Sequence, residues 1–385
     1  MASAKTILIL GGGIGGIVSA VRLRKRLSRE HRIVLVERSS RYIFTPSFLW
    51  LMTGLRKAEQ ISRPLSELGK KGIEIVTGDI QEIDPERHTI RVSGKEINSD
   101  YLIIALGAEL VPNKIPGLSE AGYNFYTLEG AGAFRDNRIE VQEGRIIILV
   151  SGIPFKCPAA PYEAAMLIEY DCRKRKIRQD VKIDLYTPEP GPMGVAGPEI
   201  SKQVRQMVEA KDISFHPEHA VTKVDPTARQ IHFTNGATAD FNLLVYVPPH
   251  RAPQIVQDAG LTGESGWIPV NRGTLETRFP GVYAVGDVTG IPLSMGKPLP
   301  KAGVFAHGEA EVVANNIVYA ITGKGKPTVF NGHGECFIET GDGKAGFGSG
   351  DFFAEPVPQV KMRGPNRALH FGKVAFEKFW LFEWF

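Results

Sequence analysis

The stretch "KTILILGGGIGGIVSAVRLRKRL", Lys5–Leu27, decides the architecture. Thr6–Leu10 is a short apolar run, three glycines make a turn, and the apolar residues that follow recur at helical spacing. Gly11, Gly13 and Gly16 satisfy G-x-G-x-x-G, and each glycine has a physical task. The first permits the tight turn, the second lets backbone approach a pyrophosphate, and the third allows close packing of helix on strand. The helix N-terminus draws in phosphate charge. A second apolar run, "RIVLVE" (Arg32–Glu37), ends on an acid about 20 residues beyond the last glycine, where a carboxylate accepts from ribose hydroxyls. This is a Rossmann-like dinucleotide-binding unit.

Outward from that unit, 385 residues are enough for two or three domains. With 43% hydrophobic and 23% charged residues the chain is an ordinary globular one. A net charge of +4 does not point to nucleic acid, and "RKRKIR" (Arg173–Arg178) reads as a solvated helix face. Three scattered cysteines make neither a disulfide scaffold nor a zinc site, so no metal is expected. "MASAK" runs straight into the first strand, leaving no room for a signal peptide, and the chain is read as made and kept on the cytoplasmic side. No apolar run approaches the ~20 residues needed to span a bilayer.

A near-repeat divides the chain. Gly72–Ala108 and Asp212–Pro249 share a rhythm: a short strand, a strand ending in Asp-Pro, a strand returning through a Gly turn, and a terminal apolar strand. Asp84-Pro85 and Asp225-Pro226 occupy matching places. Two nested α/β units follow, the second opening near Arg145. Its phosphate loop, however, reads "SGIPFKCPAAPYE" (Ser151–Glu163). Pro154 and Pro158 remove backbone donors, and Phe155 and Lys156 stand where backbone should be bare. A pyridine nucleotide is disfavoured there, and a thiol, Cys157, is offered instead.

The glycine loop with Glu37, "IALGA" at Ile104–Ala108 and "GVYAVGDV" at Gly281–Val288 resemble the FAD-binding marks of the glutathione reductase-like flavoproteins. Cys157 after the second unit's first strand, "PKAGVFAH" from Pro300, "GECFIETGDGKAGFG" around Cys336 and the aromatic tail together resemble the sulfide:quinone oxidoreductases and their flavocytochrome c sulfide dehydrogenase relatives. The resemblance implies an α/β fold with two Rossmann-like domains and a C-terminal membrane- and quinone-binding segment. It places an FAD domain in residues 1–110 and 255–325, a second domain with a degenerate NADH site in 111–254, and the interface segment in 326–385.

What the resemblance implies for individual residues is specific. Gly11, Gly13, Gly16 and Glu37 would hold the ADP half of FAD, Ala105 and Gly107 would lie against it, and Gly286-Asp287 would take the ribityl and pyrophosphate end. Lys301 would face the N1/O2 side of the isoalloxazine, where a cation stabilises the anionic reduced ring. Cys157 and Cys336 would form the redox pair that oxidises sulfide to polysulfide or elemental sulfur. Apart from the resemblance, the residue types beside Cys157 suggest Glu163, in "CPAAPYE", as proton acceptor and Lys156 as a charge that draws in hydrosulfide. Family members often carry a further cysteine, in some cases bonded to FAD; "GYNFYTLEGAG" (Gly122–Gly132) has none, so FAD is expected to be non-covalent. Cys172, which no motif claims, reads as a small buried hydrophobe.

The tail "ALHFGKVAFEKFWLFEWF" (Ala368–Phe385) mixes aromatics with Lys373 and Lys378, a pattern suited to the membrane interface with snorkelling lysines. The chain is accordingly read as a peripheral, monotopic protein of the cytoplasmic membrane that passes electrons to a membrane quinone, with Phe371 as a quinone contact and room for a homo-oligomer. Two alternatives stay open: a type II NADH:quinone oxidoreductase, which should carry a second glycine fingerprint near Ser151, and a sulfide dehydrogenase flavoprotein subunit with a cytochrome partner. A non-enzymatic flavin-binding protein would need neither the Cys336 segment nor the tail.

Overall fold

The computed structural model describes residues 4–385. The glycine-loop unit builds a five-stranded parallel sheet in the order Val282–Ala284, Tyr101–Ile104, Thr6–Leu10, Arg32–Glu37, Glu74–Thr77. The edge strand at 282 arrives only after the chain has built a second unit. That unit has its own five-stranded parallel sheet, in the order Tyr123–Asn124, Leu243–Val247, Gly144–Val150, Val181–Tyr186, Ser214–His216. Strands buried on both faces read as continuous apolar runs, which is why "TILIL" and "IIILV" are unbroken.

The near-repeat is structural. Ile80–Asp84, Thr89–Val92 and Lys95–Asn98 form one three-stranded antiparallel sheet; Val221–Asp225, Gln230–Phe233 and Thr238–Asp240 form its counterpart. Asp84 caps its turn by accepting from the Glu86 and Arg87 amides, and Asp225 accepts from those of Thr227 and Ala228. The side chain of the Asp, as much as the ring of the Pro, fixes the bend.

Beyond the long helix Gly303–Thr322, a three-stranded antiparallel sheet (His333–Gly341, Lys344–Asp351, Gln359–Asn366) leads into a terminal helix, Arg367–Glu383. Asn366 caps that helix by accepting from the Leu369 amide. Its two faces differ. Lys373, Glu377, Trp380 and Trp384 lie on one side and are buried; Phe371, Phe379 and Phe382, on the other, are 67%, 59% and 81% exposed. The tail is therefore not a uniform interfacial stripe. Trp380 and Trp384 belong to the core of the glycine-loop unit, and Lys373 does not snorkel. Among the described residues no helix is long and apolar enough to cross a membrane.

The basic run also departs from its expected role as a solvated face. Arg173 pairs with Glu169 and Asp342, while Arg175 and Arg178 donate to main-chain carbonyls of neighbouring loops. It staples the Ala160–Lys174 helix in place. Cys172 is a buried free thiol inside the core of the second unit.

Candidate active site

The glycine loop fits a dinucleotide. A Cβ on Gly16 would collide with the Gly11 carbonyl, and one on Gly11 with the Ala105 carbonyl, so strand, loop and helix approach too closely for side chains. Gly11 has φ +102°, in the left-handed region. Above Gly13 there is open space, as a pyrophosphate requires. The Glu37 carboxylate is held at the loop, accepting from the amides of Gly12 (2.6 Å) and Ser39 (3.0 Å).

The end of the late strand meets this loop. Gly286 has φ +78°, and its amide donates to Glu309 at 2.6 Å. Burial pushes the Glu309 carboxyl up to about 8. Lys301 is buried, its ammonium donating to the carbonyls of Asp287 (2.7 Å) and Thr289 (3.1 Å) and sitting 3.3 Å from the Trp267 ring centroid. Burial lowers it to about 8, against the pull of Asp287 and Glu309. Burial raises the Asp287 carboxyl, opposed by Lys156 and Lys301.

Cys157 comes to this region on the loop after Gly144–Val150. Its amide donates to the Lys301 carbonyl at 2.6 Å, Lys156 bridges Lys301 strand-to-strand, and the Tyr126 hydroxyl donates to the carbonyl of Lys156 at 2.9 Å. Gly122–Gly132 has no cysteine but contributes Tyr126, which holds the cysteine loop from that segment. The second unit lacks the acid that the first has. Where Glu37 closes one strand, Tyr186 closes the matching one, stacked between His216 (4.1 Å) and Phe233 (4.9 Å). The next acid, Glu189, accepts from the Tyr162 hydroxyl at 3.1 Å.

Cys336 arrives on the first strand of the C-terminal sheet, which packs on the Ala160–Lys174 helix that follows the Cys157 loop. Both thiols are free and pack against one core cluster. Burial pushes Cys336 up to about 12 and raises Cys157 well above the ordinary thiol range, where the Cys336 charge adds to the effect; Glu163 raises both and Lys373 opposes it. Glu163 is not the solvated helical acid that its type suggests. It is 2% exposed and accepts from the Lys373 ammonium (2.5 Å) and the Glu339 amide (2.6 Å). Lys373 lies 5.2 Å from the Trp50 ring centroid, and Glu339 in turn pairs with His370 at 2.6 Å. Burial raises the Glu339 carboxyl. The signal for Lys373 was present in the tail: it repeats at helical spacing with Glu377, Trp380 and Trp384.

Residues 5–310 match the pyridine nucleotide-disulphide oxidoreductase family. A sulfide-quinone reductase of Aquifex aeolicus is 31% identical over 99% of this chain and 91% of its own length. The crystal structure of the sulfide:quinone oxidoreductase from that bacterium superposes with a TM-score of 0.89 at 29% identity, over 99% of this chain and 91% of the other. The chain belongs to the sulfide:quinone oxidoreductase family. A mitochondrial sulfide:quinone oxidoreductase of Mus musculus is 26% identical over 91% of this chain and 79% of its length. Within this sulfide:quinone oxidoreductase scaffold the glycine loop packs on Ala105 and holds the Glu37 carboxylate, Lys301 joins the Asp287 carbonyl to the Cys157 loop, and Glu163 lies between Lys373 and the Cys336 strand. Phe371 lies apart, on the exposed face of the terminal helix, with the adjacent His370 ring as its aromatic neighbour.

Proposed function

We propose that this chain oxidises sulfide through Cys157 and Cys336 and passes the electrons by way of FAD to a membrane quinone. The carrying observation is a cluster: two thiols far apart in sequence packed against one core, beside a buried carboxylate–ammonium pair, with the Cys157 amide donating to the carbonyl of Lys301, whose ammonium donates to the Asp287 carbonyl.

In this reading the oxidised pair is a disulfide. Hydrosulfide attacks the Cys157 sulfur, the S–S bond to Cys336 breaks, a persulfide forms on Cys157 and Cys336 leaves as thiolate. The persulfide proton goes to Glu163, whose charge Lys373 compensates. Loss of two electrons then joins the persulfide sulfur to Cys336 as a trisulfide, and FAD, bound non-covalently by the glycine loop, Glu37, Asp287 and Lys301, would supply the two-electron carrier between the pair and quinone. Lys301 supplies positive charge where the reduced ring accumulates negative charge. Repetition lengthens the sulfur chain to polysulfide or elemental sulfur. Phe371 takes its place at the membrane and quinone side, and the exposed aromatic face rests the protein on the cytoplasmic membrane surface. Tyr186 and the engaged Glu189 leave no free acid at this strand end for the adenosine ribose of NADH, which favours sulfide over NADH as donor.

Anaerobic stopped-flow of the purified yellow protein tests this. Sulfide is expected to bleach the flavin rapidly and NADH not; Cys336→Ser retains FAD and is not bleached by sulfide. Bleaching by NADH alone overturns the proposal.

A further inference from the structure

A closed circuit of contacts ties together the elements around the thiols. Glu163, on the Ala160–Lys174 helix, accepts from the Glu339 amide on the Cys336 strand at 2.6 Å. The Glu339 carboxyl turns to the terminal helix, its Oε1 lying 2.6 Å from His370 Nδ1. On the next turn of that helix Lys373 donates back to Glu163 at 2.5 Å. Trp50 backs both helix members, its ring centroid 6.1 Å from that of His370 and 5.2 Å from the Lys373 ammonium.

The charges in this circuit do not cancel. Glu163 and Glu339 share the single ammonium of Lys373, so with a neutral imidazole the group is net negative, which a low-dielectric interior penalises. A second proton on the His370–Glu339 contact removes that charge. One proton always lies between Nδ1 and Oε1; the second enters at His370 Nε2, because the imidazole is partly exposed and the carboxyl is not. Burial raises the Glu339 carboxyl, with Lys373 and His370 opposing and Glu163 adding to the rise. Burial disfavours the charged Lys373, but Glu163 and Glu339 together outweigh it and hold the ammonium charged. Lys373 thus answers to both acids, and of the two Glu163 acts directly on both sulfurs. The remaining charges nearby are committed or outside. Asp342, on the turn after the Cys336 strand, is held by Arg173 and Lys211, Arg56 lies over Trp50 and pairs with Glu377, and Lys344, Arg363 and Arg367 are exposed.

We propose that Glu339 and His370 are a positioning pair that decides how much of the Lys373 charge is left for Glu163 and the two thiols. The proposal rests on the sulfide-oxidising reading and deepens it, naming the groups that tune Cys336 as a leaving thiolate. With the second proton in place the Glu339 charge is cancelled and Lys373 serves Glu163 and the sulfurs. When the pair gives that proton to solvent through Nε2, the bare carboxylate competes for the ammonium and a thiolate is disfavoured. Only this proton moves; no bond to sulfur or carbon is made or broken.

Iodoacetamide labelling of Cys336 in the reduced, FAD-loaded protein, read by mass spectrometry at pH 6 and pH 8, tests the coupling without sulfide turnover. Glu339→Gln keeps an acceptor for His370 but no charge, and labelling at pH 8 is expected to be about threefold faster, equivalent to half a pH unit of thiol ionisation. His370→Gln keeps a donor for Glu339 but cannot take the second proton. Its labelling is expected to be about threefold slower at pH 6 and to match the unmodified protein at pH 8. A pair that merely holds strand to helix would shift both variants in the same direction at both pH values. That result, or unchanged rates in both yellow, folded variants, overturns the proposal. If sulfide fails to bleach the flavin of the unmodified protein, the functional reading falls instead, and the two labelling profiles still decide the charge coupling.

Discussion

Cys157 has φ +54°, a left-handed conformation that costs a non-glycine residue about 1–3 kcal/mol. It persists because the bridge to Lys301, with the Cys157 amide donating to the Lys301 carbonyl, and the Tyr126 hydroxyl fix the loop from two sides. Its thiol meets a second constraint, since burial and the Glu163 carboxylate both disfavour a thiolate. Removing the Glu163 charge should therefore activate the thiols toward alkylation even while it removes the proton acceptor. Glu163→Gln frees Lys373 to act on both sulfurs, and iodoacetamide labelling of Cys157 and Cys336 at pH 8 is expected to accelerate about tenfold, equivalent to one pH unit of thiol ionisation. Sulfide turnover by the same variant should fall. Slower labelling would mean that the carboxylate does not face the sulfurs as the electrostatics require.

The terminal helix is a fastening as well as a surface. Glu377, completely buried, accepts from Arg56 Nε at 3.0 Å and from the Ser47 hydroxyl at 2.6 Å, tying the tail to a loop of the first unit. Lys25 reaches Glu383 at 2.6 Å, and Arg22 lies 5.0 Å from the Trp384 ring centroid. Arg56→Ala leaves the buried Glu377 carboxylate with only the Ser47 hydroxyl and the more exposed Lys378 ammonium, 3.4 Å away, and is expected to cost about 1–3 kcal/mol, read as a lower denaturant midpoint. Because Lys373 rides on the same helix, this variant should also weaken the Glu163 pair and slow sulfide oxidation. What could be read in the sequence depended on range. The glycine loop, the paired Asp-Pro turns and the cysteine motifs are local patterns, each written within one short run of chain. The partnership of Glu163 with Lys373 joins segments that only tertiary packing brings together, and Lys373 was masked by neighbouring aromatics that made the tail look wholly interfacial.

At the scale of the molecule, one face of the terminal helix seals the core while the opposite face presents Phe371, Phe379 and Phe382 to the outside. Burying a phenylalanine side chain is worth about 1.5–3 kcal/mol, so three in register make a substantial anchor. Replacing all three by Ser is expected to weaken co-flotation with phospholipid vesicles about tenfold or more, given that gain per ring. The denaturant midpoint should barely move, because none of the three supports the core. Loss of stability instead would reassign this face to internal packing. The nesting of the two units has another outcome, concerning biosynthesis. Tyr101–Ile104 remains a bare sheet edge until Val282–Ala284 has been translated, and the Ile14–Arg26 helix waits still longer to pack on Gly303–Thr322. The polypeptide leaving the ribosome can finish its internal unit before its first one, so chaperones that shield nascent edges should meet the amino-terminal half first and release it last.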